Sequence, residues 1–102
     1  MPDGFGRITE AELAETVLRI LAAEPSGKAA FSTLIAAIPK YIKLTEADLV
    51  PSETRPNEAV WEQRVRNIKS HKNADGNYIN SGYLAEVEGG LAITDAGRKL
   101  VA

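Results

Sequence analysis

Asn57-Glu58-Ala59-Val60-Trp61-Glu62-Gln63-Arg64-Val65-Arg66-Asn67-Ile68-Lys69-Ser70-His71-Lys72 is the stretch on which the reading of this 102-residue chain turns. Trp61, Val65 and Ile68 recur at i, i+4 and i+7. At about 100° per residue Val65 and Ile68 fall within about 40° of Trp61 on a helix. Asn57 is a good N-cap and Glu58 suits the positive end of the helix dipole. A helix is therefore predicted from 58 to 71 or 72, with the Trp61 stripe turned to a core. Roughly opposite Trp61 lie Ala59, Gln63, Arg66, Asn67 and Ser70, none of them acidic or large and apolar. Arg, Gln and Asn can each make two hydrogen bonds to a base edge, Ser bonds bases or phosphates, and Ala meets a thymine methyl. Lys69 and Glu62 flank one side of this face, Arg64 and His71 the other, and basic flanks suit phosphates. Taken alone, the same face is as readily an ordinary solvated surface, and Glu62 counts against a phosphate neighbour.

The residues that follow bear on the choice. Asn73-Ala74-Asp75-Gly76 reads as a turn, and 77–81 as one helical turn stopped by Gly82. Tyr83 to Val87 reads as a strand with Tyr83, Ala85 and Val87 on one face, and Glu88-Gly89-Gly90 as a hairpin turn. Leu91-Ala92-Ile93 is the returning strand. Thr94 then caps a short helix, 95–101, with Asp95 near its positive end and Arg98 and Lys99 near its negative end.

Upstream, Thr9 and Glu12 form a capping box with Ile8 and Leu13 as a hydrophobic staple. Leu13, Ala14, Val17, Leu18, Ile20 and Leu21 make an amphipathic helix that ends near 23–24, before Pro25. Pro25-Ser26-Gly27-Lys28 is a turn and Lys28-Ala29-Ala30 a short extended piece. Ser32 is read as the cap of a second helix carrying Leu34, Ile35 and Ile38, interrupted near Pro39 and resuming through Ile42. Thr45 caps a further helical turn through Leu49, and 50–56, with two prolines, is an extended connector.

Helices followed by a two-stranded hairpin and a terminal helix define the predicted fold class: α+β, a winged helix, the helix-turn-helix variant whose last helix before the hairpin reads DNA while the hairpin forms the wing. Residues 1–8 are expected to be a flexible lead-in and residues 9–102 one winged-helix domain.

Composition narrows the function classes. The length suits one domain, too short for a TIM barrel or a full dinucleotide-binding fold. With no cysteine, disulfides, zinc-thiolate sites and cysteine nucleophiles are excluded. Apolar runs are short, so no membrane span is expected; the first six residues show no secretory pattern, so a cytoplasmic location is. The net charge of −2 is unevenly spread. Residues 1–54 balance to −3, residues 55–102 to +1, and residues 55–72 alone to +3 through Arg55, Arg64, Arg66, Lys69 and Lys72 against Glu58 and Glu62. One basic segment in an acidic protein points to a local anion-facing surface.

Other motifs carry less. Ser26-Gly27-Lys28-Ala29 lacks the upstream glycine and the following Ser/Thr of a phosphate loop. Glu46, Asp48 and Glu53 lack calcium-loop spacing. Trp61 is a core anchor or a platform for an extruded base. His71, at a helix end, suits capping or a phosphate, and no serine or carboxylate spacing makes it catalytic. Arg55 either reaches a phosphate or minor groove or is simply solvated. Glu86 and Glu88 make the hairpin a poor phosphate contact, leaving the Gly89-Gly90 backbone as its more plausible route to DNA.

Trp61-Glu62-Gln63-Arg64-Val65-Arg66-Asn67, then Ser81-Gly82-Tyr83-Leu84, then Gly89-Gly90-Leu91-Ala92-Ile93-Thr94-Asp95-Ala96-Gly97-Arg98, together resemble the N-terminal winged-helix domain of Mrr-type restriction endonucleases. The resemblance covers about residues 9–101. Its Ile-Thr-x-x-Gly-Arg ending is common to many winged helices; the Trp-x-x-x-Val-Arg-Asn segment is more particular. It implies target-DNA recognition, with sensitivity to base methylation as one form. It does not imply cleavage, because the family's nuclease is a separate, larger domain. The acidic first half departs from an ordinary DNA binder.

The expectation is therefore a non-enzymatic, cofactor-free binder of double-stranded DNA, standing alone or beside a partner nuclease in a restriction or regulatory system, with a homodimer possible. Gln63, Arg66, Asn67 and Ser70 are expected at the major groove, and Arg55, Arg64, Lys69 and Lys72 at phosphates. The rival is a winged helix used for protein–protein interaction. A small hydrolase is the least expected.

Overall fold

Thr9 opens the first helix as its sequence requires. Its Oγ1 accepts the Glu12 amide at 3.1 Å, and α1 runs Glu10–Ala23. Ile8 and Leu13, the two ends of the staple, are both buried. The computed structural model describes residues 8–52 and 57–101, so the expected lead-in falls almost wholly outside the described residues. Leu13, Val17, Leu18 and Leu21 of α1 are wholly inaccessible and form the centre of the core with Leu34, Ile38, Val65, Ile68 and Leu91.

The extended piece after the Gly27 turn is β1, Lys28–Ala30. It leads directly into α2, Phe31–Ala37, and a 3₁₀ turn, Ile38–Lys40. The expectation of Ser32 as cap is corrected here. Ala30 occupies the cap position, and the Phe31 amide donates to the Gly89 carbonyl at 2.9 Å, so the hairpin tip supplies an acceptor across the molecule. After the 3₁₀ turn, Thr45 and Asp48 cap one another: the Asp48 amide donates to Thr45 Oγ1 at 3.2 Å and the Thr45 amide to Asp48 Oδ2 at 2.8 Å. This is the expected capped turn, and it stays a single turn.

The third helix, α3, spans Val60–Ser70 and starts two residues later than predicted. The connector folds back beside the chain that enters it. Pro51 bridges Ala59, the Ser52 amide donates to Glu58 O at 2.8 Å, and the Val60 amide to Val50 O at 2.8 Å. Extended pairing therefore holds residues 58–59, and Ala59 rather than Asn57 takes the cap position, its amide donating to Glu62 Oε2 at 3.3 Å. Arg55 lies outside the described residues. Beyond α3, Asn77 is buried; its Nδ2 donates to Ile68 O at 2.9 Å and its Oδ1 accepts the Ile79 amide at 2.8 Å.

The hairpin strands are β2, Leu84–Val87, and β3, Gly90–Ile93, followed by α4, Asp95–Val101. The expected two-stranded hairpin is one part of a three-stranded antiparallel sheet of order β1-β3-β2. Lys28, Ala92 and Ala85 lie side by side across it, as do Ala30, Gly90 and Val87. Leu84 and Leu91, on the opposite face, are buried against the helices. Thr94 ties the end of the sheet together. Its Oγ1 accepts the Gly97 amide at 3.0 Å and donates to Gly82 O at 2.5 Å. A Cβ on Gly97 would stand 2.3 Å from Tyr83 O, so only glycine lets α4 lie this close to the strand. The domain is thus α+β, with four α-helices and one sheet among the described residues.

Candidate nucleic-acid interface

The α3 stripe faces inward as its spacing predicts: Trp61 is 4% exposed and Val65 and Ile68 are fully buried. A Trp61 indole in that position anchors the core, which sets aside its alternative as a platform for an extruded base. The helix is held at both ends by backbone groups. At its start the Val60 and Trp61 amides donate to Val50 O and Asp48 O; at its end the Asn77 amide group holds Ile68 O. A helix moored this way presents its outer face in a fixed orientation.

The candidate side chains on that face divide into two groups. Asn67, Lys69 and Ser70 make no side-chain hydrogen bond or ion pair among the described residues. Ser70 is exposed, and Asn67 and Lys69 half-buried. The others are engaged. Arg66 Nε lies 2.8 Å from Glu58 Oε2, with its guanidinium carbon 5.7 Å from the Phe31 ring centroid. Arg64 Nη1 donates to Ile8 O at 2.9 Å, stitching α3 to the start of α1. The Gln63 amide oxygen accepts the Ser52 hydroxyl. Lys72 Nζ pairs with the Glu86 carboxylate of β2 at 3.2 Å. His71 Nδ1 lies 2.8 Å from Glu10 Oε1. A helical wheel places these residues on the surface but cannot show these partners, which lie 8 to 61 positions away in the chain.

The hairpin differs from expectation in one respect. Gly90 is buried, and a Cβ there would meet Ala29 O at 2.0 Å. The Gly89 carbonyl accepts the Phe31 amide. This backbone holds β1 and α2 in place, while Gly89 itself stays exposed. Glu86 and Glu88 are exposed beside it.

Sequence reasoning undervalued Asp48. Its carboxylate is wholly inaccessible and accepts the Ile8 amide at 2.7 Å, the Thr45 amide at 2.8 Å and the Thr45 hydroxyl at 3.0 Å. The Thr45-x-x-Asp48 spacing is the signal that could have found its local half; the bond to Ile8 has none.

Glu10 and His71 themselves line a cleft of about 290 Å³, together with Asp75, Asn77 and Tyr78. The Tyr78 ring meets Tyr83 edge-on, with centroids 5.4 Å apart. Burial, then the Glu15 charge, then Tyr83 push the Tyr78 phenol above its ordinary 10.0. The folded state holds this proton more tightly than the unfolded chain does. Its contribution to stability is complete below pH 10.0 and lost as pH rises through the higher folded value. Thermal unfolding across the alkaline range should show stability falling more steeply for the parent than for Tyr78→Phe; parallel curves would refute the assignment.

No group of three His, Asp or Glu side chains among the described residues is placed to hold a metal ion. Among them, too, no helix is long and apolar enough to cross a membrane. Comparison with family models, curated proteins and solved structures yields no match for this chain.

Proposed function

We propose that the domain is a winged helix that binds double-stranded DNA through the outer face of α3 and performs no chemistry on it. The observation that carries this reading is the Asn67-x-Lys69-Ser70 group, unengaged among the described residues, on a helix moored at both ends and followed by a hairpin. The order α1-β1-α2-α3-β2-β3, with β1 paired to β3, supports it, because a helix-turn-helix protein of this type sets its last helix before the hairpin into the major groove. Asn67 has the donor and acceptor pair that fits adenine N7 and N6, Ser70 lies about 4.5 Å further along the helix axis, and Lys69 flanks them as a phosphate contact. In a restriction or regulatory system such a domain would choose the site at which a partner nuclease acts.

Fluorescence anisotropy with duplex DNA at low salt tests the reading. Lys69→Ala should weaken binding to every duplex and lower the salt exponent by about 0.9. Asn67→Ala should cost about 1–3 kcal/mol on a preferred sequence and leave binding to other sequences nearly unchanged. A folded parent protein that binds no duplex under these conditions would overturn it. That result would favour the protein-interaction reading, which has its own observation: Leu49 and Val50, in the segment paired beside the start of α3, are 56% and 51% exposed.

A further inference from the structure

Two basic side chains at the candidate interface are each held by a carboxylate of the same chain. Arg66 is paired with Glu58 from the segment before α3, and Lys72 with Glu86 from β2. Both pairs remain within reach of solvent: the Arg66 and Lys72 side chains are 35% and 47% exposed. A carboxylate at such a place has the charge and acceptor geometry of a phosphate oxygen. It competes with the nucleic-acid backbone for the same cation, and it also repels that backbone.

We infer that Glu58 and Glu86 are specificity-determining residues of the α3 interface, acting as internal phosphate substitutes that suppress sequence-independent binding. This rests on the reading of α3 as a DNA-binding helix and deepens it. Phosphate contacts supply almost all of a protein's affinity for arbitrary DNA, whereas base contacts supply discrimination. Arg66, placed by its helix position at the major groove, also carries its charge to the phosphates beside it; neutralising it and Lys72 internally lowers the first term. It leaves Asn67 and Ser70, which have no internal partner among the described residues, free to supply the second. The ratio of specific to arbitrary binding rises although total affinity falls. The acidic balance of the chain, which first counts against a DNA binder, then has a local role.

The test is the salt dependence of binding to a random-sequence duplex, measured for the parent, Glu86→Gln, Glu58→Gln and Glu15→Gln. Glu15→Gln removes the same charge from a pair with Arg19 on α1, so it controls for net charge. Glu86→Gln is expected to bind about 3- to 10-fold more tightly at low salt and to raise the salt exponent by about 0.9, with one more phosphate neutralised. Glu58→Gln should do the same, provided circular dichroism shows α3 intact, while Glu15→Gln leaves the exponent where it was. If Glu86→Gln matches the parent in exponent, or Glu15→Gln changes it equally, the inference fails and the DNA reading stands. If the folded parent binds no duplex DNA, both fail.

Discussion

Replacing Asp48 with alanine is expected to remove about 3 kcal/mol of stability, more than any single change on the α3 surface. The carboxylate is fully buried and accepts three hydrogen bonds at 2.7–3.0 Å, two from backbone amides and one from a hydroxyl. Hydrogen bonds to a charged acceptor contribute roughly 1.5–3 kcal/mol each, and a buried donor left without a partner costs about 1–3 kcal/mol. Water can reach only some of the donors freed by alanine, which places the net loss nearer one or two bonds than three. In a domain of this size that lowers the midpoint of thermal unfolding by roughly 12–24 °C. Asparagine, which keeps one acceptor but turns an NH₂ toward amide donors, should recover a part. A midpoint within a few degrees of the parent for Asp48→Ala would show that these bonds are replaceable. The consequence for function is direct, because the Asp48 carbonyl also accepts the Trp61 amide at 3.2 Å. Residue 48 thus joins the entry to α1, the Thr45 turn and the first turn of the candidate recognition helix.

Gly90→Ala should be comparably damaging for a different reason. The added methyl would stand 2.0 Å from Ala29 O and 2.8 Å from Ala30 Cα, backbone atoms that cannot swing aside as a side chain does. The sheet must open, and the pairing of β1 with β3 is the part that gives. Overpacking of this kind costs about 1–3 kcal/mol, and the adjacent Phe31-to-Gly89 bond at the start of α2 is at risk with it. Urea unfolding should report the loss, and amide exchange over Lys28–Ala30 should show it concentrated in β1. Gly89→Ala is the informative partner. No atom lies within 4 Å of its would-be Cβ, but its φ is +71°, so its cost is that of a left-handed dihedral, about 1–2 kcal/mol, without release of β1. Equal exchange patterns for the two variants would refute the distinction.

Elements with a strong local signal were legible in the chain. The Thr9 cap, the apolar stripes of α1 and α3, the paired strands around Glu88-Gly89 and the Thr94 cap all rest on residues within a few positions of one another. Misreadings occur where a distant segment supplies the partner. Asn57 is a better cap by its chemistry than Ala59, yet pairing with residues 50–52 moves the start of α3 to Val60. Ser32 is a better cap than Ala30, yet the Gly89 carbonyl makes a serine hydroxyl unnecessary there.

The candidate interface divides along the same line. Periodicity by itself determined which side of α3 is buried and which residues lie opposite, because the angle between side chains on a helix depends only on their spacing. Tertiary structure alone decided that Arg64, Arg66, Gln63 and Lys72 are engaged while Asn67, Lys69 and Ser70 have no side-chain partner among the described residues. Those partners lie up to 56 positions away. Hydrogen bonds and ion pairs act over a few ångströms, and no local pattern records which distant groups the fold will bring within that range.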